Sequence, residues 1–163
     1  MLPDPRNVAS GDAYRFVAAK RREVTDLLNE LLDSLAAARN SRNQVQALMT
    51  EFPGDTALQE AGEAAVQRLT AWENTVTQTQ YGTYEDEDSM PPMLDVHIRH
   101  VLDVIDRAGA PVSEGSLLRL SDLEIQWEDR SSELRDINRN DLAVINEWAR
   151  DNGIPHVTAP VEL

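Results

Sequence analysis

The chain has 163 residues, of which 41% are apolar and only 5% aromatic. That size and make-up fit one domain with a core of Leu, Val, Ile and Ala. A net charge of -14, from 29 acidic and 15 basic residues, repels phosphate backbones and argues against nucleic acid as a partner. No run of about 18 apolar residues exists to insert in a membrane, and no cysteine exists for disulfides or thiolate chemistry.

The first residues, Met1-Leu2-Pro3-Asp4-Pro5-Arg6, lack the charged-then-apolar pattern of a signal peptide. The chain is therefore expected either to be cytoplasmic or to have been separated from the segment that carried a signal. Lys20 is the only lysine. Abundant Asp with almost no Lys fits a salty habitat, where self-repulsion is screened; a GC-rich genome, which favours Arg, gives the same bias.

Residues 1–9 read as an extended lead-in. Ser10 is a helix cap and Asp12 an acid in the first turn of a helix over about 11–50, on the order of 60 Å long. Its seam is Val17, Arg21, Val24, Leu28, Leu31, Leu35, Ala38, Arg42, Val45 and Met49, in alternating steps of four and three, the spacing of coiled-coil-like packing. Arg21 and Arg42 interrupt the seam and are expected to snorkel or to pair with acids on neighbouring helices.

Phe52-Pro53-Gly54-Asp55 breaks the chain and supplies Asp55 as the next cap. A second helix over about 55–79 follows, with the seam Leu58, Gly62, Ala65, Leu69, Trp72 and Val76. Residues 78–92 are irregular, with Tyr81, Tyr84, the acidic run Glu85-Asp86-Glu87-Asp88 and Pro91-Pro92. A loop of that length is often functional or disordered. The acidic run lacks the alternating pattern of a calcium loop and reads better as solvated charge.

A third helix over about 92–108 carries Leu94, Ile98, Val101, Leu102 and Ile105 and stops at Gly109-Ala110-Pro111. Ser113 caps a fourth, over about 113–151, with the seam Leu120, Leu123, Trp127, Arg130, Leu134, Ile137, Asp141, Val144 and Trp148. Gly153 then Ile154-Pro155 stops it. The tail, 153–163, is expected to be extended and to lie along the bundle or add to something outside it. The predicted fold is all-α: an elongated up-down-up-down four-helix bundle, 10–152, with two long and two shorter helices. The shorter pair is expected to leave the far part of the long pair uncovered.

Metal chemistry has one candidate set. His97, His100 and Asp103 recur every three residues on one helix face and are donors suited to a borderline metal. No Glu-x-x-His and no matching pair on another helix accompanies them, so surface or boundary histidines are the plainer reading, and no cofactor is expected. Acids are too abundant for any pair to stand out as catalytic. No Gly-x-Ser-x-Gly elbow and no phosphate-cradling glycine loop occurs. Trp72, Tyr81, Tyr84, Trp127 and Trp148 could line a sugar groove, but most occupy core-facing positions.

Several segments together look familiar: Leu2-Pro3-Asp4-Pro5-Arg6, then Pro91-Pro92-Met93-Leu94-Asp95, then Ala110-Pro111-Val112-Ser113-Glu114-Gly115 with Leu120-Ser121-Asp122-Leu123, and finally Asn140-Asp141-Leu142-Ala143-Val144-Ile145-Asn146 with Gly153-Ile154-Pro155. In this order and spacing the chain, from Leu2 to Pro160, resembles the C-terminal helical region of large bacterial proteins with sortilin-like (VPS10-type) or BNR/Asp-box β-propellers, often labelled glycosyl-hydrolase-like. The resemblance implies an exported parent whose chemistry belongs to the propeller. No Ser-x-Asp-x-Gly-x-x-Trp Asp-box occurs here, so it carries over no active-site residue. The acidic loop departs from that pattern, and Met1 directly before Leu2-Pro3 suggests a domain cut from a longer chain or a gene fragment.

The expected function is a non-catalytic helical accessory module, not an enzyme, which packs on, spaces or dimerises such a parent through its seam. The alternatives are a metal-dependent bundle enzyme using His97, His100 and Asp103, and a glycan- or peptide-binding module using the 78–92 loop.

Overall fold

The computed structural model describes residues 10–80, 82–83, 89–108 and 110–158. The helices are α1 (Gly11–Glu51), α2 (Thr56–Val76), α3 (Leu94–Ala108), α4 (Glu114–Ile137), a π-helical turn (Asn138–Leu142) and α5 (Ala143–Asp151); the described residues contain no strand. Each start with a side-chain cap follows the sequence. Ser10 Oγ accepts the Ala13 N–H, Asp55 Oδ1 the Leu58 N–H at 2.9 Å, and Ser113 Oγ the Ser116 N–H at 3.1 Å. The second helix stops at Val76, short of the expected residue 79. Thr75-Val76-Thr77 is a β-branched run with low helix propensity, and Thr77 is extended, its N–H closing onto the Glu73 carbonyl at 3.0 Å.

The chain is an all-α bundle whose four main helices pack against one another. Its order differs from up-down-up-down. α2 returns antiparallel along the C-terminal half of α1, with Gly62 facing Val45 and Met49 and with Glu73 reaching Arg39 and Arg42. α3 then continues in the same direction along the N-terminal half. Thr77 Oγ1, just past α2, donates to Asp95 Oδ2 at the start of α3 (3.0 Å), while Asp106 at the far end pairs with Arg21 (2.9 Å). α4, the π-helical turn and α5 run back as one rod, from beside Lys20 and Glu23 to the α1–α2 turn. The bundle is thus three rods wide, with α2 and α3 end to end in one rod.

The reason is the seam of α1. α2 stops halfway along it, leaving Val24, Leu28 and Leu31 to be covered, and Ile98, Val101 and Ile105 of α3 cover that half. Each such side chain contributes roughly 1.5–3 kcal/mol when fully buried. The part of the long pair left uncovered therefore shrinks to its N-terminal end, where Tyr14, Phe16 and Leu118 are exposed.

The seam of the last rod changes phase. Up to Ile137 the expected positions Leu120, Leu123, Trp127, Leu134 and Ile137 are buried. Beyond it the buried side chains are Leu142, Ile145 and Ala149 in place of Asp141, Val144 and Trp148, and Val144 is 53% exposed. The π-helical turn accommodates one extra residue and so shifts the inward positions by one. An ordinary helix would drive Asp141 inward, and burying an unpaired carboxylate is far costlier than one widened turn. Turned outward, Asp141 instead meets Arg68 of α2.

Candidate functional site

The side of the bundle opens where α2 passes to α3. Pro91-Pro92 keeps the residues before each proline out of helix, so α3 begins only after Met93, whose carbonyl accepts the His97 N–H at 3.1 Å. Because Thr77 and Asp95 meet, the intervening excursion leaves and returns at the same level. Beside its ends lies a cleft of about 400 Å³. Asn74 and Thr75 of α2, Met93, Leu94 and His97 line one side, and Gln126, Asp129 and Arg130 of α4 line the other.

Arg130 is fixed twice. Its carbonyl accepts the Trp72 indole N–H at 2.8 Å, and its guanidinium holds Glu133 at 2.8 Å. The cleft places the His97 imidazole on one wall and the Asp129 carboxylate and Arg130 guanidinium on the other, and it is open at the surface. These are polar groups that can hydrogen-bond and carry charge in a site open to solvent.

The three residues considered for metal separate in role. His97 is half-buried in the cleft, His100 is exposed, and Asp103 is held by Arg107 Nε at 2.7 Å, one turn on along α3. Among the described residues no group of three or more His, Asp or Glu side chains is placed to hold a metal ion. His156 lies in the tail. Tyr81, Tyr84 and the acidic run 85–88 lie outside the described residues.

The tryptophans tie rods together and do not share a groove. Trp72 is fully buried and bonds the Arg130 carbonyl of α4; Trp127, also buried, donates to Glu30 of α1 at 2.8 Å. Trp148 donates to Asp55 Oδ2 at 2.8 Å while its ring meets Phe52 edge-on at 5.2 Å. Asp55 therefore caps α2 and anchors α5 at once, and the Leu58 amide and the Trp148 indole hold its carboxyl below the usual carboxylate range.

A buried carboxylate escaped the seam reading. Glu73 is 5% exposed, between Arg39 (Nε–Oε1, 2.6 Å) and Arg42 of α1. Burial pushes its pKa up, but the hydrogen bonds and charges of Arg39 and Arg42 outweigh burial and leave it below the ordinary value. Arg42 on the seam was the available signal: an arginine there needs an acid one helix away. Arg21, the other seam arginine, reaches Asp106 on α3 in a solvent-exposed pair.

Compared with known protein families, curated proteins and solved structures, the chain matches none.

Proposed function

We propose that this chain is a non-catalytic helical module that holds apart, and in register, the parts attached to its two ends. The observation that supports this is the placement of those ends. Ser10 opens α1 at one end of the bundle, while Thr158 is bound beside Ser41, 31 helical residues further along the same rod, or about 45 Å at 1.5 Å per residue. Three rods packed along that length resist bending, and the bonds from Ser41 and Gln44 keep the exit point fixed. The buried side chains serve packing and ties between helices, and no helix among the described residues is long and apolar enough to cross a membrane. In the setting that the sequence resemblance implies, the parts held apart would be a secreted β-propeller and its neighbour, and any chemistry would be theirs.

The absence of cysteine makes a direct test simple. Cysteines placed at Ser10 and Thr158 carry a donor and an acceptor dye. Single-molecule energy transfer should give one narrow distance near 45 Å, unchanged by mild crowding or salt. A broad distribution, or a separation below about 30 Å, would remove the spacer reading.

A further inference from the structure

The tail beyond α5 is held by side chains. Gly153, at φ 69°, and Ile154 close the helix, their N–H groups bonding the carbonyls of Arg150 (3.1 Å) and Ala149 (2.8 Å). The next residues run across α1 and α5. The Asn146 carboxamide grips Val157 on both sides: it accepts the Val157 N–H at 2.7 Å and donates to the Val157 carbonyl at 3.2 Å. Gln44 Oε1 accepts the Thr158 N–H at 3.0 Å, and Ser41 Oγ donates to the Thr158 carbonyl at 2.7 Å. Consecutive main-chain groups are thus read by side chains from two helices that have their own core contacts. Only the socket of Val157, which is 3% exposed, depends on side-chain identity.

The groove is also larger than what fills it. A cavity of about 250 Å³ remains between the tail and α1, lined by Ala47, Leu48, Ile154, Pro155 and Val157 together with Gln44, Glu51 and His156. We propose that Ser41, Gln44 and Asn146 form a recognition site for an extended polypeptide segment with a β-branched aliphatic residue at its centre. The chain's own tail fills it in cis, and the tail of a second copy is its occupant in trans. The bound tail is itself the template: an incoming segment must present the same N–H and C=O pairs and the same aliphatic anchor, and a second copy carries both. The short tether from Gly153 gives the cis tail an effective concentration on the order of mM, so exchange follows when the cis tail is weakened.

The test uses the full chain and a fluorescent synthetic peptide of residues 152–160. Val157→Asp puts a charge at the apolar socket and loosens the cis tail without touching Ser41, Gln44 or Asn146. Fluorescence anisotropy should show this variant binding the peptide at least about tenfold more tightly than the unaltered chain, and adding Asn146→Ala should lose about tenfold again, the scale of one or two hydrogen bonds. Circular dichroism reports that the helices persist. If Val157→Asp reduces helix content, Thr158→Pro, which removes the N–H given to Gln44, takes its place with the same order expected. No gain in peptide binding by a folded variant, or binding indifferent to Asn146→Ala, overturns the proposal.

Discussion

The two halves of the bundle are held by different means. Along the half that holds α2, α5 and the tail, the rods are laced by polar ties: Glu73 between two arginines, Trp148 on the Asp55 cap, and the tail on Asn146, Gln44 and Ser41. Along the other half the rods meet through aliphatic packing, a part-buried tie from Trp127 to Glu30, an exposed Arg21–Asp106 pair, and an unfavourable meeting of Glu23 with Glu124 that Lys20 partly offsets. Apolar burial is non-directional, whereas hydrogen bonds and ion pairs join named partners across the rods. The expected consequence is that the laced half sets the alignment of the rods, and substitutions in each half test it.

The largest way to test that contrast is Glu73→Gln. It leaves Arg39 and Arg42 without their carboxylate and should cost about 2–3 kcal/mol at neutral pH, read by urea denaturation. Because the folded Glu73 pKa lies below its ordinary value of 4.5, its contribution is complete above 4.5 and is lost as pH falls through the lower folded value. The gap between variant and parent should close over that acid range. A gap independent of pH would mean that packing, and not charge, sets the laced half.

Glu124→Gln should act in the opposite direction. Burial, and then the nearby Glu23, raise the Glu124 pKa above 4.5, so the native state takes up a proton earlier than the unfolded one. Its penalty is full at neutral pH and is relieved as pH falls through the raised folded value towards 4.5. The variant should gain about 0.5 kcal/mol at pH 7 and nothing below pH 4.5, measured by melting across pH. A loss at pH 7 would show that the two carboxyls form a stabilising pair. The smallest effect belongs to Arg21→Ala, whose exposed pair with Asp106 is worth about 0.5 kcal/mol or less; a loss above about 1 kcal/mol would make that pair a structural tie of the apolar half.

Most of the fold was legible because its signals are local. Steps of four and three marked the seams of α1, α2 and α3, and Ser10, Asp55, Ser113 and Gly153 marked helix ends through their own side chains or backbone. What was not legible depends on pairs distant in sequence. The direction of α3 is set by the meeting of Thr77 and Asp95, which the irregular sequence between them conceals. The inward shift after Ile137 required weighing Asp141 against Leu142, and a strict heptad reading follows the spacing instead. The cleft was half visible: His97 and the prolines stood out, but Asp129 and Arg130 come from a helix more than thirty residues later, where Asp129 carried no signal and Arg130 was read only as part of that helix's seam. The clamp on the tail left no trace, because Ser41, Gln44 and Asn146 are single polar residues on two helices far apart in sequence and only the fold brings them to the tail.

The widened turn at Asn138–Leu142 works as a splice. An additional residue in a regular helix swings everything after it by about 100°; here the bulge absorbs that swing, so Asn146 still aims at Val157 and Trp148 still reaches Asp55. The last rod can therefore differ in length by one residue at this point while its far end keeps hold of both the tail and the opposite turn.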